Sequence, residues 1–240
     1  MILLQSSLHQ NVLTTVATVV YTKGVVGGCD YAVARRWIAA DISRKIIHVA
    51  AGSWCLFWPL FRRNNDDDDA SWMLNIAVPA VYSVQLFVKG LILQDPNDAD
   101  VKTMSRSGKP LELCQGPFLF TCAMMYCGLY QFRTEVGVYI MGALTYGDGI
   151  APLIGKRFPW GRYPTLGGGT KTLAGSAAMF VGTLIGICIL QAGIGAPERL
   201  DAGKMLGVAA LATLAEAVSG IWDNPAIVLT TLWYCQRSNA

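Results

Sequence analysis

Charge is scarce in this 240-residue chain. Asp, Glu, Lys and Arg make up 15% of it and hydrophobic residues 53%, where soluble domains average about 25% charged. With a mean hydropathy of +0.40, this excludes an ordinary water-soluble domain and indicates a membrane protein. The net charge of +3 is too small for an electrostatic binder of nucleic acid, so no nucleic-acid partner is expected. Histidine occurs twice, which excludes a multi-histidine metal centre. The seven cysteines include no C-x-x-C pair. Most stand in apolar runs (Cys55, Cys122, Cys127, Cys188) and are expected to be buried free thiols. There is no internal repeat and no G-x-x-x-x-G-K-[ST] loop. The opening residues lack the positive n-region of a signal peptide and the arginines of a transit peptide, so targeting is expected to be absent or already removed.

Apolar runs fill the chain instead. A membrane helix needs roughly 20 mostly apolar residues. Candidate spans lie near residues 8–27, 46–61, 71–94, 117–132, 136–154, 173–195 and 203–221, with a shorter one near 225–236. The expectation is one all-α domain over residues 1–240, a polytopic integral membrane bundle of about seven or eight transmembrane helices. "RRNNDDDDA" (Arg62 to Ala70) reads as a solvated loop. If eight spans alternate, the loops carrying Arg35, Arg36, Arg44, Lys45, Lys102, Arg106, Lys109, Lys156, Arg157, Arg162 and Lys171 share one side. That side holds most of the 19 Lys and Arg and faces the cytoplasm or its organellar equivalent.

Four polar groups fall on that side. In "DISRKIIHVAAG", Arg44, Lys45 and His48 share a helix face at the membrane edge. They suit lipid headgroups or, because their donors are charged, phosphate. His48, beside two cations, stays neutral and can accept a proton. In "KPLELCQGP", Glu112 precedes a span that starts at Pro117. In "LTYGDGIAPLIGKRFPWGRYPTLGGGTKTLAGS", Asp148 sits late in a span between Gly147 and Gly149, which let backbone approach a ligand. A loop rich in glycine and cations follows, with Lys156, Arg157, Arg162, Gly167, Gly168, Gly169, Lys171 and Thr172. It resembles a phosphate cradle ahead of a helix. A buried ion pair of Asp148 with Lys156 or Lys171 is the alternative. In "LAEAVSGIWDN", Glu216 and Asp223 are two turns apart if the helix continues, and Asn224 before Pro225 should end it. An unpaired Glu216 would cost a few kcal/mol in a span, which a cation or metal would offset.

Carboxylates and cations thus collect at one membrane face. Hard oxygen ligands suit magnesium, which comes with nucleotide phosphates. The cations suit a polyphosphate and the apolar bundle a lipid. The inference is phosphoryl or nucleotidyl transfer between a soluble nucleotide and a membrane-dissolved alcohol. A small transporter of anions would more often show repeated halves.

The residues also carry a resemblance. "SRKIIHVAAG" is similar to the R-K-x-x-H-x-x-x-G opening of the polyprenol kinase family, which comprises phytol, farnesol and dolichol kinases and CTP-dependent diacylglycerol kinases. "LELCQGP" resembles the E-L-L-x-G-P segment of its phytol kinases. "GDGIAPLIGKRFP" and "KTLAGSAAMFVG" resemble its G-D-G-x-A-x-x-x-G-[KR] and K-S-x-x-G-S pair, and "AEAVSGIWDN" its A-x-E-S…D-N close. The matches run in order over residues 43–224. They imply a membrane kinase that uses CTP with a divalent metal, Mg2+. The implied substrate is a prenyl alcohol, foremost phytol, whose phosphate feeds tocopherol synthesis in plastids. A farnesol, geranylgeraniol, dolichol or diacylglycerol substrate is the alternative, and a CDP-lipid cytidylyltransferase is a related class. A chloroplast membrane is the expected location, with the endoplasmic reticulum as the alternative. On the resemblance, Asp148 and Asp223 hold metal and phosphates. Arg44, Lys45, Lys156, Lys171, Thr172, Gly149 and Gly175 bind the nucleotide phosphates. His48 or a carboxylate, Glu216 included, takes the alcohol proton, and Glu112 and Asn224 lie towards the substrate. Pro152 stands where many relatives carry a second aspartate, and Trp222 where many have another carboxylate before D-N.

Overall fold

A computed structural model describes residues 2–63, 70–166, 169–195 and 201–238. The acidic part of "RRNNDDDDA", with Gly167 and Gly168, lies outside them. The chain forms α1 (Ile2–Ala34), α2 (Ala40–Gly52), α3 (Ala77–Phe87), α4 (Ala99–Met104), α5 (Gly116–Tyr130), α6 (Glu135–Met141), α7 (Asp148–Arg157), α8 (Leu173–Ile194), α9 (Ala202–Ser219) and α10 (Asp223–Ser238). A 3₁₀ stretch, Ser53–Leu60, extends α2, and another, Ala70–Ile76, leads into α3. Wider π segments follow α3 (Val88–Leu93) and join α6 to α7 (Gly142–Gly147).

The first helix is apolar on the wrong face for water. Ser7, Asn11, Thr14, Thr18, Thr22, Val26 and Cys29, spaced three or four apart, are buried, while Leu13 and Val20 are 56% and 66% exposed. Small polar residues inward and large aliphatics outward is the pattern of a helix whose outer solvent is lipid. The inward hydroxyls are satisfied within the helix: Thr14, Thr18 and Thr22 donate to the carbonyls of Gln10, Thr14 and Thr18.

Among the described residues, four stretches are long and apolar enough to cross a membrane: Ser7–Ala34, Ala70–Leu93, Leu173–Ile194 and Ala202–Ser219. The other expected spans are helical but shorter or more charged. The α5 helix has 15 residues, or about 22 Å against a hydrocarbon core of about 30 Å. The α2 helix carries Asp41, Arg44 and Lys45, and α7 carries Asp148, Lys156 and Arg157. Cys188 is exposed rather than buried, because α8 is apolar on every side and turns part of its surface outward; Cys122 is half-buried, and Cys55 and Cys127 are buried.

Close packing centres on α8 against the α6–π–α7 run. A Cβ at Gly186 would lie 2.7 Å from Tyr146 Cβ and 2.8 Å from the Gly142 carbonyl, and one at Gly182 would lie 3.0 Å from the Tyr146 carbonyl. This small-residue spacing lets two backbones touch.

Two features depart from the all-helical expectation. The glycine- and cation-rich loop folds as an antiparallel hairpin, β1 (Arg162–Pro164) with β2 (Thr170–Thr172), pairing Tyr163 with Lys171. The α9 helix stops at Ser219, where Gly220 takes φ +62°. A 3₁₀ turn follows, and α10 begins at Asp223. Pro225 therefore sits in the first turn of a new helix, where its missing N–H costs nothing.

Candidate active site

The α6–π–α7 run sets the geometry. In the π segment, the Asp148 N–H reaches back to the Ala143 carbonyl. The α-helix resumes at Asp148, and a change from π to α spacing leaves one carbonyl at the junction without a rung, which falls to Leu144. His48 of α2 fills the vacancy, with Nε2 2.7 Å from that oxygen. A carbonyl has no proton to give, so Nε2 carries the hydrogen. The same Nε2 is 3.3 Å from Asp148 Oδ2, and the ring stacks on Phe120 at 4.0 Å.

Pro152 creates a second vacancy. It has no N–H for the Asp148 carbonyl one turn back. The Lys45 ammonium takes that carbonyl at 2.8 Å and Asp148 Oδ2 at 3.2 Å. Two side chains of α2 thus complete the broken helical ladder, and in doing so fix the buried Asp148 carboxylate.

The partners of Asp148 differ from both sequence candidates. Lys156 instead pairs with Asp41 at 2.7 Å in a solvated bridge. Lys171, held by the hairpin, meets the carboxylate and backbone carbonyl of Glu216. Glu216 is 5% exposed, so this pair resolves the cost of a carboxylate inside α9. Thr172 caps α8, its Oγ1 accepting the Gly175 N–H at 3.0 Å. Gly149 serves packing: a Cβ there would come within 2.5 Å of Val49 Cγ2. Glu112 belongs to the loop after α4, where its oxygens accept the N–H groups of Arg106 (2.6 Å) and Ser107 (2.8 Å) and the Ser107 hydroxyl (2.7 Å).

Two spaces meet at these residues. An apolar cavity of about 100 Å³ runs between α1, α2, α3 and α5, past His48, Tyr82, Phe120 and Met124 to Trp54. A polar cleft of about 680 Å³ is lined by Lys156, Arg162, Lys171, Thr172, Gly175 and Glu216. Arg44, Lys45, Arg106, Asp148 and Asp223 line both. The N-terminus of α8 faces the cleft through Thr172 and Gly175, an arrangement suited to phosphate. Asn224 lines the apolar cavity, donates to the Gly116 carbonyl at 3.1 Å and keeps a buried, unpartnered Oδ1. Arg106 is the residue that motif reading passes over. In the sequence it is one loop charge among several, and nothing in its neighbours signals that the loop folds back over the site.

Burial, then the negative charge of Asp148, pushes the Asp223 carboxyl up to about 6. A cation between the two aspartates would relieve that repulsion. Among the described residues no three His, Cys, Asp or Glu form a metal cage. Two carboxylates suit magnesium, which takes one or two and completes its shell with water and phosphate oxygens.

An apolar chamber inside a helical bundle, ending on carboxylates and cations beside a polar cleft, defines a membrane-embedded protein with an apolar and a polar space sharing one wall. Three relatives sharpen this. The chain is 29% identical to "Probable phytol kinase, chloroplastic" of Zea mays, over 90% of this chain and 73% of that one. It is 30% identical to "Probable phytol kinase 1, chloroplastic" of Oryza sativa subsp. japonica, over 90% and 71%. It is 29% identical to "Phytol kinase 1, chloroplastic" of Arabidopsis thaliana, over 77% and 60%. The chain belongs to the phytol kinase family. No family model and no solved structure matches it.

Proposed function

We propose that this protein transfers a phosphoryl group from CTP to the hydroxyl of a membrane-dissolved prenyl alcohol, phytol foremost. The observation that carries the reading is the wall shared by the apolar cavity and the polar cleft. The alcohol end of a prenyl chain lies in the first, its hydroxyl at Asp223 and Asn224. The nucleotide phosphates lie in the second, against Lys171, Lys156 and the start of α8. The names of the relatives support phytol as acceptor and a chloroplast membrane as location. The order of apolar and charged segments supports a multi-pass topology.

Asp148 and Asp223 would hold magnesium, which when bound neutralises phosphate charge. Lys45 and His48 keep Asp148 in place from the opposite side. Asp223, which lines both spaces and makes no ion pair among the described residues, would take the alcohol proton on the carboxylate oxygen that the metal leaves free. Phosphoryl transfer asks mainly for positioning and charge neutralisation, and both are built into the shared wall.

The test uses protein purified in detergent, with γ-labelled CTP or ATP offered alongside phytol, farnesol, geranylgeraniol, dolichol and diacylglycerol. Label on phytol from CTP is expected. Label on no lipid with either nucleotide would sink the reading, and label on diacylglycerol alone would move the acceptor to a different lipid class.

A further inference from the structure

The cations around the site divide by the space they line. Lys156, Arg162 and Lys171 line the polar cleft and not the apolar cavity. Arg44 and Arg106 line both, and they meet again in a small recess beside Glu112. Lys45 also lines both, but its ammonium is committed to Asp148. Neither Arg44 nor Arg106 makes an ion pair among the described residues. Arg44 Nε is buried with no hydrogen-bond partner. A buried guanidinium nitrogen without a partner, beside a second guanidinium lining the same spaces, favours an anion that both can reach. Guanidinium forks match phosphate oxygens in two-pronged geometry.

The loop holds Arg106 there by design of its own hydrogen bonds. Glu112 pins the Arg106 and Ser107 N–H groups. Ser105 Oγ accepts the Gly108 N–H at 3.0 Å and donates to the Val101 carbonyl at 2.6 Å. Gly108 takes φ +78°, the left-handed turn that glycine allows. Arg106 itself is anchored through its backbone N–H, which leaves the guanidinium for a ligand.

We propose that Arg44 and Arg106 form a subsite for the phosphomonoester of the lipid product, separate from the nucleotide-phosphate subsite of Lys171, Lys156 and the α8 N-terminus. This rests on the kinase reading above. In the transfer, the bond between the γ-phosphorus and the β,γ-bridging oxygen breaks and a bond from the alcohol oxygen to that phosphorus forms. The alcohol proton goes to Asp223, and CDP leaves through the cleft. The new phosphate then sits on a chain in the apolar cavity, beside the two cations that line both spaces.

Arg106 is exposed, so Arg106→Gln should fold. The full chain in detergent is titrated separately with geranyl monophosphate and with CTP. Arg106→Gln is expected to weaken geranyl monophosphate by about tenfold or more, the loss of a charge-assisted pair, and CTP by less than about threefold. Lys171→Gln should do the reverse. Glu112→Ala should weaken geranyl monophosphate alone, through the freed loop. An Arg106→Gln protein that loses CTP as strongly as geranyl monophosphate, or loses neither, overturns the subsite and leaves the kinase reading standing. Phosphatidate competing as well as geranyl monophosphate would assign the arginines to bilayer phospholipid and also overturn it. A wild-type chain that binds neither ligand sinks the kinase reading and the subsite together.

Discussion

Asp148 and Pro152 make one device. A carboxylate inside a helical bundle needs donors aimed at it. Here they come from α2, because a π segment and a proline each remove one rung of the helical ladder and expose a carbonyl beside the carboxylate. Asp148→Asn should abolish turnover while leaving the detergent-solubilised fold intact, checked by activity alongside thermal melting. Pro152→Ala restores an N–H that competes with Lys45 for the Asp148 carbonyl. Its melting temperature should hold or rise, since proline is a poor interior helix residue, while turnover falls by roughly tenfold through misplacement of the carboxylate. Unchanged turnover in Pro152→Ala would mean that Lys45 finds Asp148 without help. Glu112 is a separate case. Partial burial raises its carboxyl, but the hydrogen bonds from Ser107 and Arg106 outweigh this and leave it below its ordinary 4.5. A depressed carboxylate stabilises its loop above the unfolded value and stops doing so as pH falls through the folded one. Protection of the amides of residues 105–108 from hydrogen exchange, taken relative to the intrinsic rate at each pH, should therefore hold from neutral pH down to about 4.5 and fall only below it, whereas Glu112→Gln should lack that protection throughout.

At the scale of elements, the contact between α8 and the α6–π–α7 run decides whether the site exists. Gly186 meets the Tyr146 side chain and the Gly142 carbonyl with no room for a methyl group. Gly186→Val should destabilise the bundle by about 1–3 kcal/mol, the usual result of overpacking. Denaturant titration in mixed micelles measures it, and a variant as stable as the parent would show that the two helices can part freely. The hairpin is the other decisive element. Its register sets Lys171 opposite Tyr163 and so against Glu216. The loop thereby carries two duties: Lys171 is one arm of a buried ion pair and Thr172 caps α8, while both still line the polar cleft.

The whole molecule is polarised along the bundle axis. In α9, Lys204 pairs with Glu135 at one end while Glu216 meets Lys171 near the other, twelve residues or about 18 Å away along the helix. In sealed vesicles, an impermeant thiol reagent should reach Lys156→Cys and Lys204→Cys from opposite faces, each introduced into a background cleared of other accessible cysteines. Labelling of both from one face would overturn the alternating topology. The membrane character, the helical runs and the polar clusters at Arg44–His48, Asp148, Lys171 and Glu216–Asp223 were all legible in the sequence, because hydropathy and the rarity of charge in apolar runs are local properties. Which carboxylate meets which cation was not. The choice of Lys45 over Lys156 or Lys171 for Asp148 depends on two missing helical hydrogen bonds and on α2 lying across them, and the arrival of Arg106 depends on a loop folded back by Glu112. Composition and order along the chain determined that apolar runs and charged clusters alternate here. Only the packing of distant helices decided the wall at which they meet, since an ion pair between residues a hundred positions apart has no signature in either one's neighbours.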